Sequence, residues 1–196
     1  MPKIAATLAA ALLLVACAQR QPTVTGGPPL AGSPEETEAP PETPDSAGSS
    51  TCETVNGGNP SNFPRFTEVE LESDDGVDRI TFGFEPDQGA PKKAPWHHIS
   101  FVDELVTDGE GRPVEVEGNA YLLVSFQAIG VDLSGEEPVE VYTGPKEFSP
   151  GYGTLKEAVH MGDFEGQVSW GLGLAERTCF VLEARQDHIT LEFAQA

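Results

Sequence analysis

The chain has 196 residues and carries 32 Asp and Glu against 11 Lys and Arg, a formal net charge of −21 at pH 7. A field of that sign repels nucleic-acid phosphates and anionic bilayer surfaces, so neither DNA or RNA binding nor attachment through a polybasic patch fits the composition. The acidity fits solubility, cation binding or a basic partner.

The first element is an export signal. Met1-Pro2-Lys3 is a short start with one positive side chain, and Ile4 to Ala16 follows with Thr7 as its only polar residue. That run is shorter than the roughly 20 apolar residues that span a bilayer, and it suits the apolar region of a secretory signal. It ends in Leu14-Val15-Ala16-Cys17, which resembles the bacterial lipobox. The resemblance implies that residues 1–16 are removed and that Cys17 becomes the first mature residue, with its sulfur carrying a diacylglycerol built from chains such as palmitate. A thiolate is the nucleophile that chemistry needs. Two acyl chains give lasting anchorage where one would not, at about 0.8 kcal/mol per buried CH₂. The expected location is the outer face of the cell membrane, held by the lipid.

Residues 17–51 form the second zone. From Ala18 to Thr51 there is no aromatic residue and no Ile, and Pro recurs at 22, 28, 29, 34, 40, 41 and 44. Such a segment cannot bury enough apolar surface to offset the entropy of ordering, and a disordered tether is expected. As a flexible coil it would span roughly 30 Å.

Residues 52–196 have the mixture of a globular domain. Period-2 alternation predicts half-buried strands. Val69 and Leu71 alternate with Glu68, Glu70 and Glu72; Ile80, Phe82 and Phe84 share a face; Val114 and Val116 alternate with Glu115 and Glu117. Leu122, Val124, Phe126 and Ala128 share a face, as do Val168, Trp170, Leu172 and Leu174, and Ile189, Leu191 and Phe193 close the series. Turn signals separate these runs at Asp74-Asp75-Gly76, Asp108-Gly109-Glu110-Gly111, Ser134-Gly135, Pro150-Gly151 and Gly162-Asp163. Leu155 to Met161 reads equally as a short helix or a strand. The pattern predicts an all-β fold, an antiparallel two-sheet β-sandwich with one wet face on each sheet. With Cys17 acylated, Cys52 and Cys179 are the cysteines left in an exported chain, and an oxidising compartment favours a bridge between them.

Several motifs together resemble a known family. Asp78-Arg79-Ile80-Thr81-Phe82, Phe101-Val102, Gly111-Arg112-Pro113-Val114, Gly118-Asn119-Ala120-Tyr121-Leu122, Tyr142-Thr143-Gly144-Pro145, Gly162-Asp163-Phe164-Glu165-Gly166 and Trp170-Gly171-Leu172-Gly173 resemble the AMIN-like domain in order and spacing. That family is frequent in lipoproteins of high-GC Gram-positive bacteria. The resemblance covers roughly Phe66 to Phe193. It departs at Gln186-Asp187-His188, where the family tends to carry Pro-Pro-Arg. It implies a β-sandwich related to AMIN domains, which target cell-wall amidases and secretion-pore proteins to peptidoglycan.

Signs of catalysis are sparse. His97 and His98 are adjacent, so on a strand they point to opposite faces and cannot share a metal; His160 and His188 are distant. Neither H-E-x-x-H, C-x-x-C, EF-hand spacing nor a G-x-S-x-G elbow occurs, so no metal and no cofactor is expected. Asp163 and Glu165 flank Phe164 in a Gly-bounded turn, with Phe164 expected to plug the core. Trp170 sits in an apolar run and is expected in the core. The candidate ligand contacts are aromatic residues beside Pro and Gly: Trp96, Tyr142 and Tyr152. The expectation is a non-catalytic, lipid-anchored binding or adaptor module contacting peptidoglycan or a cell-wall protein. The alternatives are an envelope enzyme acting on glycans and a structural or stress lipoprotein without a small ligand.

Overall fold

The computed structural model describes residues 49–86, 89 and 92–195. The expected signal peptide, Cys17 and the tether up to residue 48 lie outside the described residues. In chain order the strands are β1 (Val55–Gly57), β2 (Arg65–Asp74), β3 (Val77–Glu85), β4 (His97–Val102), β5 (Ala120–Gln127), β6 (Val131–Asp132), β7 (Val139–Glu140), β8 (Glu147–Phe148), β9 (Leu155–Phe164), β10 (Gln167–Leu174), β11 (Phe180–Ala184) and β12 (His188–Ala194). The described residues contain no helix.

Two antiparallel sheets carry the core. The larger has six strands in the order β1-β4-β5-β10-β9-β8, the smaller four in the order β11-β12-β3-β2, and β6 pairs with β7 beside them. The alternation read from the sequence decides which face is which. On β3, Ile80 and Phe82 are wholly buried while Arg79 and Thr81 are half-exposed. On β2 the acids Glu68, Glu70 and Glu72 face water. The inner faces meet in one cluster that includes Phe66, Phe82, Phe84, Phe126, Trp170, Phe180 and Phe193. Phe66 makes an edge contact with Phe126 at 5.2 Å, and Phe84 makes another at 5.1 Å; such geometry adds about 0.5–1.5 kcal/mol per pair beyond burial.

Two hairpins close through left-handed residue pairs. Asp75 and Gly76 have φ of 49° and 78°, and Glu165 and Gly166 have 52° and 79°. Two-residue turns of this kind match strand twist, which explains the Asp-Gly and Glu-Gly sequences there.

The N-terminal edge is clasped. Thr51 exchanges both backbone hydrogen bonds with Phe180 of β11, at 2.8 and 2.9 Å. Cys52 is disulfide-bonded to Cys179, as expected. Five residues on from Thr51, Asn56 of β1 is paired with His98 of β4 in the other sheet. This segment therefore ties the edges of both sheets together.

Three expectations resolve or change. Leu155 to Met161 is strand, part of β9. Val114 and Val116 are outside any strand, in an arm of residues 103–118 that links β4 to β5 and carries one isolated bridge, Val106 to Pro113. Their alternation has another cause: Val116 packs with Leu105 and Met161 in a second apolar cluster, which Val114 joins. Phe164 does not plug the core. It is 49% exposed, because it sits at the hairpin tip beyond the sandwich.

Candidate functional site

The larger sheet has an outer face, and the arm covers part of it. Arm residues Leu105 and Val116 pack there with Met161 of β9, while Tyr121 and Leu123 of β5 lie alongside. Two glycines of β10 make this approach possible. A Cβ on Gly173 would lie 2.0 Å from the Glu117 carbonyl oxygen, and one on Gly171 would lie 2.7 Å from Leu105 Cδ1 and 2.8 Å from Met161 Sδ. The Glu117 N–H donates to the Glu157 carboxylate and fastens the end of the arm to β9.

Beyond the arm the outer face is polar and aromatic. Trp96, His98 and Ser100 alternate with His97 and Ile99, which turn inward. Asn56, His98, Ser125 and Ser169 stand opposite one another in register, forming a row across β1, β4, β5 and β10. Ser125 and Ser169 hydroxyls are 3.0 Å apart. His98 Nδ1–H donates to Asn56 Oδ1 at 2.8 Å, and His98 Nε2 accepts from Ser100 Oγ at 3.0 Å. Both ring nitrogens are used, so the imidazole plane is fixed.

Trp96 lies parallel to that plane. The two rings are 13° apart with centroids at 6.5 Å. The backbone beneath is pinned on both sides: Trp96 N–H donates to Asn59 O at 3.1 Å and Gln127 N–H donates to Trp96 O at 2.9 Å. Pro95, just before it, has its own φ fixed by its ring. The indole side chain is half-exposed, and its N–H has no partner among the described residues. The result is a rigid, flat pair of rings flanked by an amide and a hydroxyl. Apolar flat surfaces with a few placed polar groups are the chemistry that binds neutral, hydroxyl-rich ligands.

The other candidates fall elsewhere. Tyr142 is corrected from ligand contact to core residue. It is 5% exposed, its ring packs 4.7 Å from Phe66, and its hydroxyl donates to Pro145 O at 2.7 Å. Burial pushes its phenol above the ordinary value. Tyr152 is half-buried against the core with its hydroxyl 3.4 Å from Leu71 O, far in register from the Trp96 surface. Trp170 is wholly buried, as its apolar run predicts.

A cavity of about 460 Å³ lies at the Gly162–Gly166 hairpin, lined by Phe63, Ile129, Val131, Leu133, Asp132, Asp163 and Glu165 among others. Two of its acids have polar neighbours. The Ser134 hydroxyl and the Arg65 guanidinium hold the Asp132 carboxyl well below the ordinary carboxylate range. Asp163 Oδ1 lies 3.5 Å from His160 Nε2. No group of three or more His, Cys, Asp and Glu among the described residues is placed to hold a metal ion.

Asn56, His98 and Ser100 join Trp96 only in the folded chain. Their one sequence signal is the period-2 spacing of 96, 98 and 100. Compared with known families, the AMIN-like domain matches residues 64–194, well over half the chain. No curated protein and no solved structure matches it.

Proposed function

This chain belongs to the AMIN-like domain family, and from that premise we propose that it is an exported, lipid-anchored, non-catalytic module that binds the cell envelope through the glycan of peptidoglycan. The carrying observation is the parallel Trp96–His98 pair on a pinned strand, bordered by Asn56 and Ser100. A sugar offers apolar C–H faces to the rings and hydroxyls to the amide, and a preorganised aromatic loses little entropy on docking. The anchor in this reading is diacylated Cys17, and residues 18–51 set the reach of the domain from the membrane. The neutral character of the surface matters, because the net charge of −21 opposes any simple adhesion to anionic polymers.

The test is co-sedimentation with purified cell wall. Trp96→Ala should weaken binding by about 2 kcal/mol, a usual loss for an anchoring aromatic. Its melting temperature should change little, since the ring stands outside both apolar clusters. Equal wall binding by wild type and Trp96→Ala sinks the surface assignment. Turnover of glycan by the wild type sinks the non-catalytic part.

A further inference from the structure

Alternate residues of β4 serve opposite sides of the sheet, and the side facing away from Trp96 opens on a different cleft. This cavity, of about 370 Å³, is lined by Gly57, Gly58, Lys92, Lys93, His97 and Arg185, together with small or uncharged neighbours. From Cys52 onward the chain has nine bases among 27 acids, and three of those nine meet here. No carboxylate lines the cleft among the described residues.

The bases are available. Lys92 and Lys93 are exposed, and their ammonium groups have no ion pair or hydrogen bond among the described residues. Arg185 gives its Nε to Glu183 at 3.0 Å, which leaves its terminal nitrogens without a partner among the described residues. The fourth polar group is buried. His97 is 4% exposed and its Nδ1 lies 2.9 Å from Pro95 O. A carbonyl only accepts, so Nδ1 carries the proton and Nε2 presents a lone pair. Nε2 has no partner among the described residues, yet it is not sealed from solvent. The backbone keeps it uncovered. A Cβ on Gly57 would stand 2.6 Å from Nε2, and one on Gly58 would lie 1.9 Å from Pro95 O.

We propose that this cleft binds a phosphate group that still carries a proton, with Lys92, Lys93 and Arg185 on its anionic oxygens and its O–H donated to His97 Nε2. The lone pair decides between anions. A carboxylate at neutral pH has no proton to offer and would face Nε2 with like charge density. Inorganic phosphate keeps an O–H beside its anionic oxygens at neutral pH, and a phosphate monoester, whose second ionisation lies near pH 6, keeps one in its monoanion. Burial holds the His97 imidazole below its ordinary value, which keeps Nε2 an acceptor in the free protein. The site is independent of the glycan reading, because it lies on the other face of β4.

The test is a titration of the isotope-labelled full chain, followed at the His97 imidazole and the Gly57 and Gly58 amides by magnetic resonance, with chloride holding ionic strength constant. Inorganic phosphate and glycerol phosphate should each give saturable shifts, and the tighter of the two tells free phosphate from a phosphate monoester as the source. Acetate should give none. Lys92→Ala with Lys93→Ala should weaken phosphate binding about tenfold or more, as loss of charge-assisted contacts does. Both lysines are exposed, so this variant keeps the fold, and Trp96→Ala should bind phosphate as the wild type does. Shifts that chloride reproduces, acetate binding as tight as phosphate, or an unaffected double-lysine variant would overturn the proposal.

Discussion

Asp78 is the buried carboxylate of the described domain, wholly inaccessible at the start of β3. Its Oδ2 accepts from Thr154 N–H at 2.6 Å and Leu155 N–H at 2.9 Å, and its Oδ1 accepts from Ser73 Oγ at 2.8 Å and Gln195 Nε2 at 2.6 Å. One side chain thereby joins the first hairpin, the entry to β9 and the C-terminal end. Asp78→Ala strands two buried N–H groups at about 1–3 kcal/mol each, for a loss of about 3–5 kcal/mol once the cavity is included. Asp78→Asn keeps a carbonyl toward the two N–H groups but puts an NH₂ donor where Oδ1 accepts from Ser73 and Gln195, and it loses the charge, so about 2–3 kcal/mol is expected. The pH dependence separates charge from shape. Burial pushes the carboxyl up, but the hydrogen bonds from Leu155, Thr154, Gln195 and Ser73 outweigh it and hold the group below its ordinary value of 3.8. A carboxylate with a depressed folded value stabilises above the unfolded value and loses that contribution as pH falls through the folded one. Urea unfolding of wild type and Asp78→Asn should therefore differ at pH 7, and the gap should narrow as pH falls below the unfolded value of about 3.9. A gap that stays constant down to pH 2, or an alanine variant within 1 kcal/mol of wild type, would refute the reasoning.

Gly173→Ala should force the arm off β10, since the added methyl meets Glu117 O at 2.0 Å. A loss of about 1–3 kcal/mol is expected, with faster hydrogen exchange across residues 103–118, and an unchanged melting temperature would count against the packing role of this glycine. At the N-terminus, mass spectrometry of membrane-extracted protein should find residues 1–16 absent and diacylglycerol on Cys17; an unmodified Cys17 would remove the anchor from the functional reading.

Most of the sandwich was legible because burial on one face leaves a period of two. The runs at Ile80–Phe84, Leu122–Phe126 and Ile189–Phe193 became inner faces of β3, β5 and β12. The same signal misled at Val114 and Val116, where an arm packs one side onto a sheet without joining it. Alternation reports a covered side and is silent on hydrogen-bonded neighbours. Tyr142 stands beside Gly and Pro and reads as a loop aromatic, yet Phe66, some 76 residues earlier, covers its ring. The site residues depend on pairing of the same long-range kind. His98 meets Asn56 across 42 residues, and the basic cleft draws on segments near 57, 92 and 185. Local sequence marks each as unremarkable, and only the register of β1 on β4 and the β11–β12 turn assembles them.

The two surfaces of β4 should answer salt in opposite directions, because long-range and local charge differ in sign. At physiological ionic strength the screening length is about 8 Å. The Trp96 surface is neutral, so contact there gains nothing from charge while the acidic whole, at −21, is repelled by any anionic polymer around the glycan. Added salt screens that repulsion, and wall binding through Trp96 should strengthen from low to moderate salt. In the basic cleft the local attraction of Lys92, Lys93 and Arg185 for phosphate is what salt weakens, so phosphate affinity should fall over the same range. Isolated, uncharged glycan fragments supply the control, since their binding should be nearly flat with salt. Wall binding that weakens steeply as salt rises would place the wall contact on the cleft and remove it from the aromatic strip. Lys92→Ala with Lys93→Ala would then abolish that slope, while Trp96→Ala would leave it intact.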